Sequence, residues 1–469
     1  MARLFSYKNR PVHLGPFPLE RLARTTSMPD LEAVPAMVPV PFRDDARPES
    51  LTNAMARFIG MFDTIRDGKP ADLPAEIPDD PVERANHLKA AGYYFDAAQV
   101  AICALPEAAR LKNPIRNPRI DELRAELEQG QPKTFSSGID VIYADVLEAA
   151  RTKPSPIPHH TRAIVFVVEY ARDPRPDEPG TEWFAGTQSQ RAAVLGAQTA
   201  VLLSDYLRLL GFEARAHTAT SSDVDLGRLA VAGGLARLCG SNSNEAPALE
   251  NPFAGHRFGL AAVTTTMDLA TDLPLAPNPG RGEKWRSHGP RWWAGKGTGR
   301  SALSREPFAT REFRQGEYPF ERLKRRKTPT TFIDGDRVPR FPKRADFFAR
   351  ALFGDMGKNV QDAAKGGHYV NKSPIGYCAR RALGALLLLQ FGQARGPVAP
   401  SVADPRANAE NIKGATYYLS ADAVGLSGVP EWAYYSHNAS GEALEPYHRN
   451  AISVLIDQGH ETMEGASGD

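Results

Sequence analysis

Cysteine is scarce in this sequence, and the cysteines that occur are not grouped. The 469 residues contain three, Cys103, Cys239 and Cys378, and no two of them form a C-x-x-C motif. This scarcity excludes a disulfide scaffold, a thiolate zinc site and a four-cysteine iron–sulfur cluster built by this chain alone. We therefore expect buried free thiols in a reducing compartment.

Long apolar runs are also missing. The amino-terminal stretch "MARLFSYKNRPVHLGPFPLERL" has basic residues but no apolar run of about 7–15 residues, which a secretory signal requires. The most apolar stretch, Ala382–Leu389, is much shorter than the roughly 20 residues of a membrane span, and we interpret it as a buried helix. These features predict a cytoplasmic protein that does not associate with a membrane.

Charge of either sign is not in excess. The chain has 57 Lys and Arg against 55 Asp and Glu, so no general attraction to nucleic acid is indicated. Locally, cations alternate with aromatic residues such as Trp285 and Trp292 within residues 281–350, a pattern found in proteins that bind single-stranded nucleic acid. No recognised RNA-binding motif accompanies it. We interpret the segment as an irregular connection and expect no nucleic-acid partner.

What the chain does contain is a duplication. Leu88–Arg110 returns 324 residues later as Ile412–Tyr434 without a gap, and Ile157–Tyr170 returns in the same order as Glu445–Gln458. Such a repeat indicates a chain made of two copies of one unit. The identical pairs include Tyr93/Tyr417, Tyr94/Tyr418, Ala97/Ala421, Val100/Val424, Pro106/Pro430, Glu107/Glu431, Pro158/Pro446, His160/His448, Ala163/Ala451 and Ile164/Ile452.

The apolar pattern of the first copy predicts its fold class. Ala163–Val168 is apolar on both alternating faces, which is typical of a strand buried on both sides. A long helix with a narrow polar stripe follows, with Thr187 or Ser189 at its start and Gly211 at its end. Further helices and strands alternate after it. We predict an α/β (α+β) domain whose sheet is covered on both faces.

Four regions follow from these patterns. Residues 1–80 are predicted to be an amino-terminal wrapping arm, 81–280 the first copy, 281–350 the connection, and 351–469 the start of the second copy. In the first copy the repeated strand leads into a long helix and further strands, whereas in the second it leads into "GHETMEGASGD". We expect the second copy to be incomplete and its apolar face to be covered by a partner chain or by more of a longer protein.

Three stretches resemble a known family. "RPVHLGPFPLERL", "WFAGTQSQRAAVLGAQTAVLLSDYLRLLGFEARAH" and "YYLSADAVGLSGVPEWAYYSHNASGEALEPYHRNAISVLIDQGHETMEGASGD" are similar to the cytoplasmic, catabolic type of cobalamin-dependent reductive dehalogenase. The resemblance covers most of 1–280 and 350–469. It implies two nitroreductase-like halves, of which the first is degenerate and cofactor-free, while the second binds cobalamin and precedes a module with two 4Fe-4S clusters.

The resemblance also implies where the site lies. The segments that bind the cofactors, and the catalytic lysine and arginine of the family, would lie beyond Asp469. We therefore expect no cofactor in this chain and no activity from it alone, although the family acts on small organohalides. The catalytic tyrosine, the proposed proton donor, falls in "PEWAYYSHN" and is assigned to Tyr435, with Tyr434 as the alternative. A phenol, with an ordinary pKa of about 10, is a suitable acid when a cation stabilises its phenolate.

Two other functions stay open at this stage. The first is a non-catalytic scaffold or binding subunit completed by a partner chain. The second is a flavin-dependent nitroreductase-like enzyme, a class that often works as a dimer. Neither would use a histidine metal site, because His159, His160 and His217 lack acidic or thiolate partners at ligand spacing, and His437 is interpreted as structural.

Overall fold

The structure, a computed structural model, describes residues 22–40, 45–47, 49–129, 139–152, 154–239, 247–277, 323–328, 330–366, 403–438 and 440–456, together with residues 378, 386, 389 and 398–399. Several stretches that the sequence analysis used lie outside these ranges. They are the first 21 residues, the connection up to residue 322, most of the apolar run Ala382–Leu389 and the last 13 residues.

Helices and strands alternate along the described chain. The helices are α1 (Leu51–Thr64), α2 (Pro81–Tyr94), α3 (Arg119–Gln129), α4 (Ile139–Arg151), α5 (Thr181–Phe184), α6 (Gln188–Leu209), α7 (Leu226–Ala232), α8 (Phe347–Phe353), α9 (Lys358–Gly366) and α10 (Pro405–Tyr418). The strands are β1 (Gln99–Ala104), β2 (Arg110–Ile115), β3 (Arg162–Glu169), β4 (Ala214–His217), β5 (Ser222–Val224), β6 (Arg237–Cys239), β7 (Ala248–Glu250), β8 (Phe258–Thr265), β9 (Ala423–Gly428) and β10 (Asn450–Leu455). Within the described ranges, no helix has the length and apolarity needed to cross a bilayer.

The first copy is organised around a four-stranded sheet with the strand order β1-β3-β8-β4. Every neighbouring pair in it is antiparallel, and β3 lies between β1 and β8. Two-stranded antiparallel sheets, β2 with β5 and β6 with β7, lie beside it. The mixed helix and sheet composition agrees with the predicted α/β (α+β) class, whereas the nitroreductase-like nature of the duplication stays a prediction.

Both faces of the central sheet are buried, as the apolar pattern predicted. Side chains alternate along β3, so Ile164 and Phe166 join one core with residues of α1, α2 and α6, while Val165 and Val167 join a second core with residues of α7. All four are inaccessible to solvent. Full burial of such a side chain contributes about 1.5–3 kcal/mol. The strand is therefore the main structural support of the first copy.

Helix α1 belongs to this core although it lies within the predicted arm, residues 1–80. Ser50 caps the helix, and its Oγ accepts a hydrogen bond from the Thr52 amide. Ile59 and Phe62 are fully buried beside α6. This part of residues 1–80 is therefore core structure, because an amphipathic helix must bury its apolar face; the boundaries of the four predicted regions stay a prediction.

The backbone recurs at the spacing seen in the sequence. Asp80 and Asp404, 324 positions apart, cap α2 and α10 by accepting hydrogen bonds from the second helical amide. After these helices, Asp96 and Ser420 adopt φ values of 68° and 79°, the positive-φ non-glycine positions of the described chain. The strand register also recurs, since Cys103 pairs with Ala163 in the first copy and Ser427 pairs with Ala451 in the second.

The two copies differ in how the repeated strand is covered. In the first copy β3 has a strand on each side, whereas β10 pairs with β9 alone among the described residues. Three apolar side chains of β10 are about half exposed: Ile452 at 52%, Val454 at 50% and Leu455 at 52%. An apolar edge strand in this state is a surface suited to pairing with further polypeptide.

Candidate active site

The two candidate tyrosines follow directly on the repeated unit. Strand β9 ends at Gly428, Pro430 opens a single 3-10 turn at Glu431–Ala433, and Tyr434 and Tyr435 come next. The first copy has the same turn after β1, at Glu107–Ala109, but continues with Arg110 and Leu111 of β2. The repeat therefore places the tyrosine pair at a strand end, and the pair is specific to the second copy.

The hydroxyl group of Tyr434 is bound by backbone. It donates a hydrogen bond to the His448 carbonyl oxygen at 3.1 Å and accepts one from the His448 amide at 3.0 Å. Its ring also makes an edge contact with Tyr447, with centroids 5.6 Å apart. Its proton and one lone pair are therefore both occupied by backbone groups, and these hydrogen bonds hold the chain before β10.

The hydroxyl group of Tyr435 has side-chain partners instead. It donates a hydrogen bond to Asp346 Oδ2 at 2.7 Å, and Lys343 Nζ lies 3.5 Å from the same oxygen. The Lys343 ammonium group also lies 4.6 Å from the centroid of the ring. The residue is 37% exposed. The phenolic oxygen thus contacts both a carboxylate and an ammonium group, while part of the side chain stays open to solvent.

Backbone pairing holds this arrangement together. The Ser436 amide donates to the Phe341 carbonyl at 2.8 Å, and the Lys343 amide donates to the His437 carbonyl at 2.9 Å. Arg340 Nη2 donates to the carbonyl oxygen of Tyr435 at 2.9 Å and also to that of Leu444. The segment from Arg340 to Lys343 is therefore fixed beside the tyrosine pair although the two are far apart in sequence.

A short turn then brings Asp346 to the phenol. A 3-10 turn at Lys343–Ala345 ends at Asp346, which is the N-cap residue of α8 and accepts a hydrogen bond from the Phe348 amide at 2.9 Å. The hydrogen bond from Tyr435 lowers the pKa of Asp346, and the capped backbone amide and the nearby Lys343 lower it further. The carboxylate is therefore ionised at neutral pH. It directs the phenol proton toward itself, while Lys343 faces the oxygen that would carry charge after proton loss.

The residues singled out from the sequence, Tyr434, Tyr435 and His437, have different hydrogen-bond partners. Tyr434 and Tyr435 are adjacent, but their hydroxyl groups have different partners. His437 contributes its backbone carbonyl, and its Nδ1 lies 3.0 Å from the Ser436 hydroxyl. Sequence reasoning missed Lys343 and Asp346, which fall in the predicted irregular connection. An aspartate directly before an apolar helix is a capping signal that locates α8, but no local pattern indicates its contact with Tyr435.

The histidines of the first copy lie elsewhere and have structural partners. His160 Nδ1 and His217 Nε2 both contact the Thr264 hydroxyl, at 2.7 and 2.8 Å. Burial lowers the pKa of His160 to about 4 and that of His217 well below its usual range, so both are neutral. In the described part of the chain, no group of three or more His, Cys, Asp or Glu side chains is arranged to hold a metal ion.

The three cysteines differ from the ligand set of an iron–sulfur cluster. Each 4Fe-4S cluster is held by four cysteine thiolates, whereas this chain has three cysteines, Cys103, Cys239 and Cys378, and none of them is in a disulfide. Cys103 is buried, and burial raises the pKa of its thiol to about 12; the Cys239 Sγ lies 3.0 Å from Glu250. These residues do not fit the two clusters that the family resemblance implies, and no reaction step is assigned to them.

A cavity of about 930 Å³ lies in the first copy and shares no residue with the surroundings of Tyr435. Its lining includes Asp63, Arg66 and Arg208. Asp63 is buried and accepts hydrogen bonds from Asn117 and the hydroxyl groups of neighbouring threonines. The charged groups at the base of the cavity are therefore part of the internal hydrogen bonding of the first copy.

Comparison with solved structures identifies the family. The catabolic reductive dehalogenase NpRdhA matches with a TM-score of 0.74 and 34% sequence identity over 100% of this chain. This chain is a reductive dehalogenase-like protein. The same values hold for the complex of NpRdhA with 3-bromo-4-hydroxybenzoic acid and for a reductive dehalogenase structure described with a mechanism for B12-dependent dehalogenation.

The reductive dehalogenase-like chain covers only part of these structures, since it spans 59% of the length of each. No protein-family model and no curated protein matches it. The recognition made from its three sequence stretches is thus confirmed at the level of the family.

Proposed function

We propose that this reductive dehalogenase-like chain contributes the proton donor, Tyr435, to an oxidoreductase that removes halide from a small organohalide. The observation that carries the proposal is the position of its hydroxyl group, 2.7 Å from Asp346 and 3.5 Å from Lys343, with the ring partly exposed. The similarity to solved reductive dehalogenases supports the reaction class.

The reaction defines what the protein must supply. Replacing a carbon–halogen bond by a carbon–hydrogen bond takes two electrons and one proton and releases a halide ion. Cobalamin and the 4Fe-4S clusters of the family supply the electrons when bound, and a cofactor of this kind carries the chemistry that amino-acid side chains cannot perform. This chain's own residues provide the proton.

Tyr435 is suited to this role for electrostatic reasons. As its O–H bond breaks, negative charge develops on the phenolic oxygen, and the nearby Lys343 ammonium group stabilises that charge. General acid catalysis by a positioned side chain contributes about 10²–10⁴-fold to rate. Tyr434 lacks these conditions because its hydroxyl group is held by the His448 backbone.

The substrate class that we propose is a small halogenated aromatic compound. A similar catabolic enzyme has been solved with 3-bromo-4-hydroxybenzoic acid. In this chain, Phe347 and Phe348 follow Asp346 directly, and each is 60% exposed beside the proposed acid. Exposed aromatic rings of this kind can pack against an aromatic ligand by edge or offset contacts.

Halide release from 3-bromo-4-hydroxybenzoic acid tests the assignment. The assay requires anaerobic conditions, a reductant and the enzyme with its cobalamin and iron–sulfur clusters in place. We expect Tyr435→Phe to lower turnover by about 100-fold or more, because the acid is lost, and Tyr434→Phe to lower it by only a few-fold. Full turnover in the Tyr435→Phe enzyme would reject the proton-donor assignment.

The chain alone provides a second test. Because it has three cysteines, we expect anaerobic reconstitution with iron and sulfide to leave it without a 4Fe-4S absorbance band. We also expect no cobalamin spectrum after incubation with the cofactor and gel filtration. A stable cobalamin spectrum would show that this chain is sufficient to bind the cofactor and would contradict this expectation.

The exposed strand β10 favours a second candidate function, a subunit that is completed by another polypeptide. Its half-exposed apolar side chains, Ile452 and Val454, suit strand addition. Sedimentation of the chain beside an Ile452→Lys/Val454→Lys variant tests this, since lysine on an edge strand opposes pairing. Association that disappears in the variant supports pairing of β10 with a second copy of the chain, and a monomer in both cases contradicts that pairing.

A further inference from the structure

We propose that Asp346 is a positioning residue that holds the Tyr435 hydroxyl group in its resting orientation. The inference rests on the proposed role of Tyr435 as the proton donor. It concerns a residue that does not itself react: Asp346 accepts the phenol hydrogen bond at 2.7 Å and so determines where the proton lies before substrate arrives.

The carboxylate of Asp346 divides its two oxygens between two tasks. Oδ1 accepts the hydrogen bond from the Phe348 amide at 2.9 Å, which caps α8, and Oδ2 accepts the hydrogen bond from Tyr435. The capping bond restricts rotation of the carboxylate. Oδ2 is therefore presented to the phenol from a fixed point on the helix rather than from a freely rotating side chain.

Helix α8 is itself held at both ends. Arg344, two residues before the cap, forms a two-point ion pair with Asp355 just beyond the helix, at 2.7 and 2.8 Å. Its guanidinium group also lies 4.1 Å from the ring centroid of Phe353, the last residue of α8. Bidentate pairs of this kind fix geometry better than single contacts do. The contacts of Arg344 with Asp355 and Phe353 therefore connect the two ends of α8, the helix that carries Asp346 at its N-cap.

Two other aspartates show what capping alone looks like. Asp80 and Asp404 cap α2 and α10, and in each the Oδ1 atom accepts the hydrogen bond from the second helical amide at 2.9 Å, as in Asp346. Among the residues that the structure describes, no tyrosine hydroxyl group donates to Oδ2 of either one. An aspartate thus caps a helix without a phenol. Of these three aspartates, Asp346 is the one that also accepts a hydrogen bond from a tyrosine hydroxyl group.

Charged groups next to the phenolic oxygen determine what happens when the proton leaves. Lys343 lies 3.5 Å from the phenolic oxygen and 3.9 Å from Asp346 Oδ2, while Arg340 binds the carbonyl oxygen of Tyr435. When the proton passes to the carbon that loses halide, with two electrons supplied by the bound cofactors, the O–H and carbon–halogen bonds break, the C–H bond forms and halide is released. The phenolate then remains beside Lys343 until a proton from solvent restores the hydroxyl group. Asp346 then accepts a hydrogen bond from the restored hydroxyl group, which returns that group to its resting orientation.

The test uses variants that separate capping from positioning. Asp346→Ser keeps a capping hydroxyl but is too short to reach the phenol. Asp346→Asn keeps the cap through its one carbonyl oxygen but places an amide NH2 group, which cannot accept the phenol hydrogen bond, at the position of Oδ2. Asp404→Ser is the matched control for capping. The readout is the ¹⁹F NMR spectrum of the chain labelled with 3-fluorotyrosine, in which the Tyr435 signal is the one that disappears in Tyr435→Phe.

We expect Asp346→Ser and Asp346→Asn both to shift the Tyr435 signal, because neither presents an acceptor oxygen to the phenol while it caps α8, and Asp404→Ser to leave the signal unchanged. In the cofactor-loaded enzyme, Asp346→Ser should lower kcat by about 10- to 100-fold at a nearly constant KM, since misplacement of a catalytic group has effects of this size. Far-UV circular dichroism checks that every variant is folded.

The possible failures are distinguishable. An unchanged Tyr435 signal in Asp346→Ser, or an equal shift in Asp404→Ser, overturns the positioning role itself. A shifted signal with full turnover in Asp346→Ser overturns its importance for the reaction. Full turnover in Tyr435→Phe instead rejects the proposed function, and the NMR result still decides whether Asp346 holds the phenol.

Discussion

Replacement of Tyr418 by alanine tests whether the first copy stabilises the second. The Tyr418 side chain is fully buried and stacks on Phe184, with ring centroids 4.5 Å apart and an interplanar angle of 12°. Its hydroxyl group lies 3.0 Å from the Thr187 hydroxyl. Arg191 Nε donates to the Tyr418 carbonyl oxygen at 2.8 Å, and its Nη2 donates to the Ser420 hydroxyl at 2.6 Å. The start of α6 therefore covers the end of α10.

The repeat supplies a matched control for this change. Truncation of a fully buried aromatic side chain to alanine costs about 3–5 kcal/mol. The equivalent residue of the first copy, Tyr94, is 47% exposed, so Tyr94→Ala should cost about 1 kcal/mol or less. A loss of 3 kcal/mol corresponds to an increase of about 100-fold in the equilibrium constant for local opening. Tyr418→Phe, which removes only the hydroxyl contact, should cost about 0.5–1.5 kcal/mol.

Hydrogen–deuterium exchange with mass spectrometry measures the effect where it occurs. A chain with several cores need not unfold in one step, so local opening is more informative than a single melting temperature. We expect Tyr418→Ala to accelerate exchange about 100-fold in Pro405–Gly428, and Tyr94→Ala to change Pro81–Ala104 by less than about 10-fold. Equal effects at the two positions would refute the conclusion that the first copy stabilises the second.

Three further predictions concern the first copy. Gly180→Ala should destabilise the start of α5 by more than about 1 kcal/mol, because Gly180 has a φ of 78° and an added Cβ would lie 2.9 Å from the Asn411 carbonyl oxygen; Gly186→Ala, with a φ of 77° and no atom within 4 Å, separates backbone strain from the clash in the same exchange assay. Burial lowers the pKa of His160 to about 4, so its unfolded form takes up a proton first as the pH falls. Its contribution to stability is complete above about pH 6.5 and is lost towards pH 4, by up to about 3 kcal/mol, and urea unfolding of His160→Gln should show a flatter pH dependence over this range. Cys103, with its pKa raised to about 12 by burial, should not react with Ellman's reagent at pH 8 until the chain is denatured, and rapid labelling of Cys103 in the native chain would contradict its burial.

Much of the first copy was predictable because its signals are local. The apolar run Ala163–Val168 lies within β3, and the helix predicted to start near Thr187 is α6. Alternation and helical periodicity act over a few residues, so they are visible in the sequence. Thr187 shows the limit of such signals: it is the N-cap residue, but its hydroxyl donates to the Phe184 carbonyl and contacts Tyr418 rather than capping α6.

The second copy shows that a repeat predicts backbone better than environment. Tyr94 and Tyr418 occupy equivalent positions on α2 and α10, yet one is 47% exposed and the other is buried. The strand register recurs, but the neighbouring strands differ. Among the described residues, β3 lies between two strands, whereas β10 pairs with β9 alone. Identical local sequences adopt the same local structure, while exposure depends on what the rest of the chain places against them.

The sequence by itself determined the duplication, the alternation of helices and strands, the family and the tyrosine pair after the repeated turn, because each of these is recorded in residue identity at short range. Only the tertiary structure determined the different partners of the Tyr434 and Tyr435 hydroxyl groups. Two adjacent phenols are chemically equal in sequence, and they differ because one meets the His448 backbone and the other meets Asp346, a residue 89 positions away. A hydrogen bond over that separation forms only when the chain between the two residues has folded.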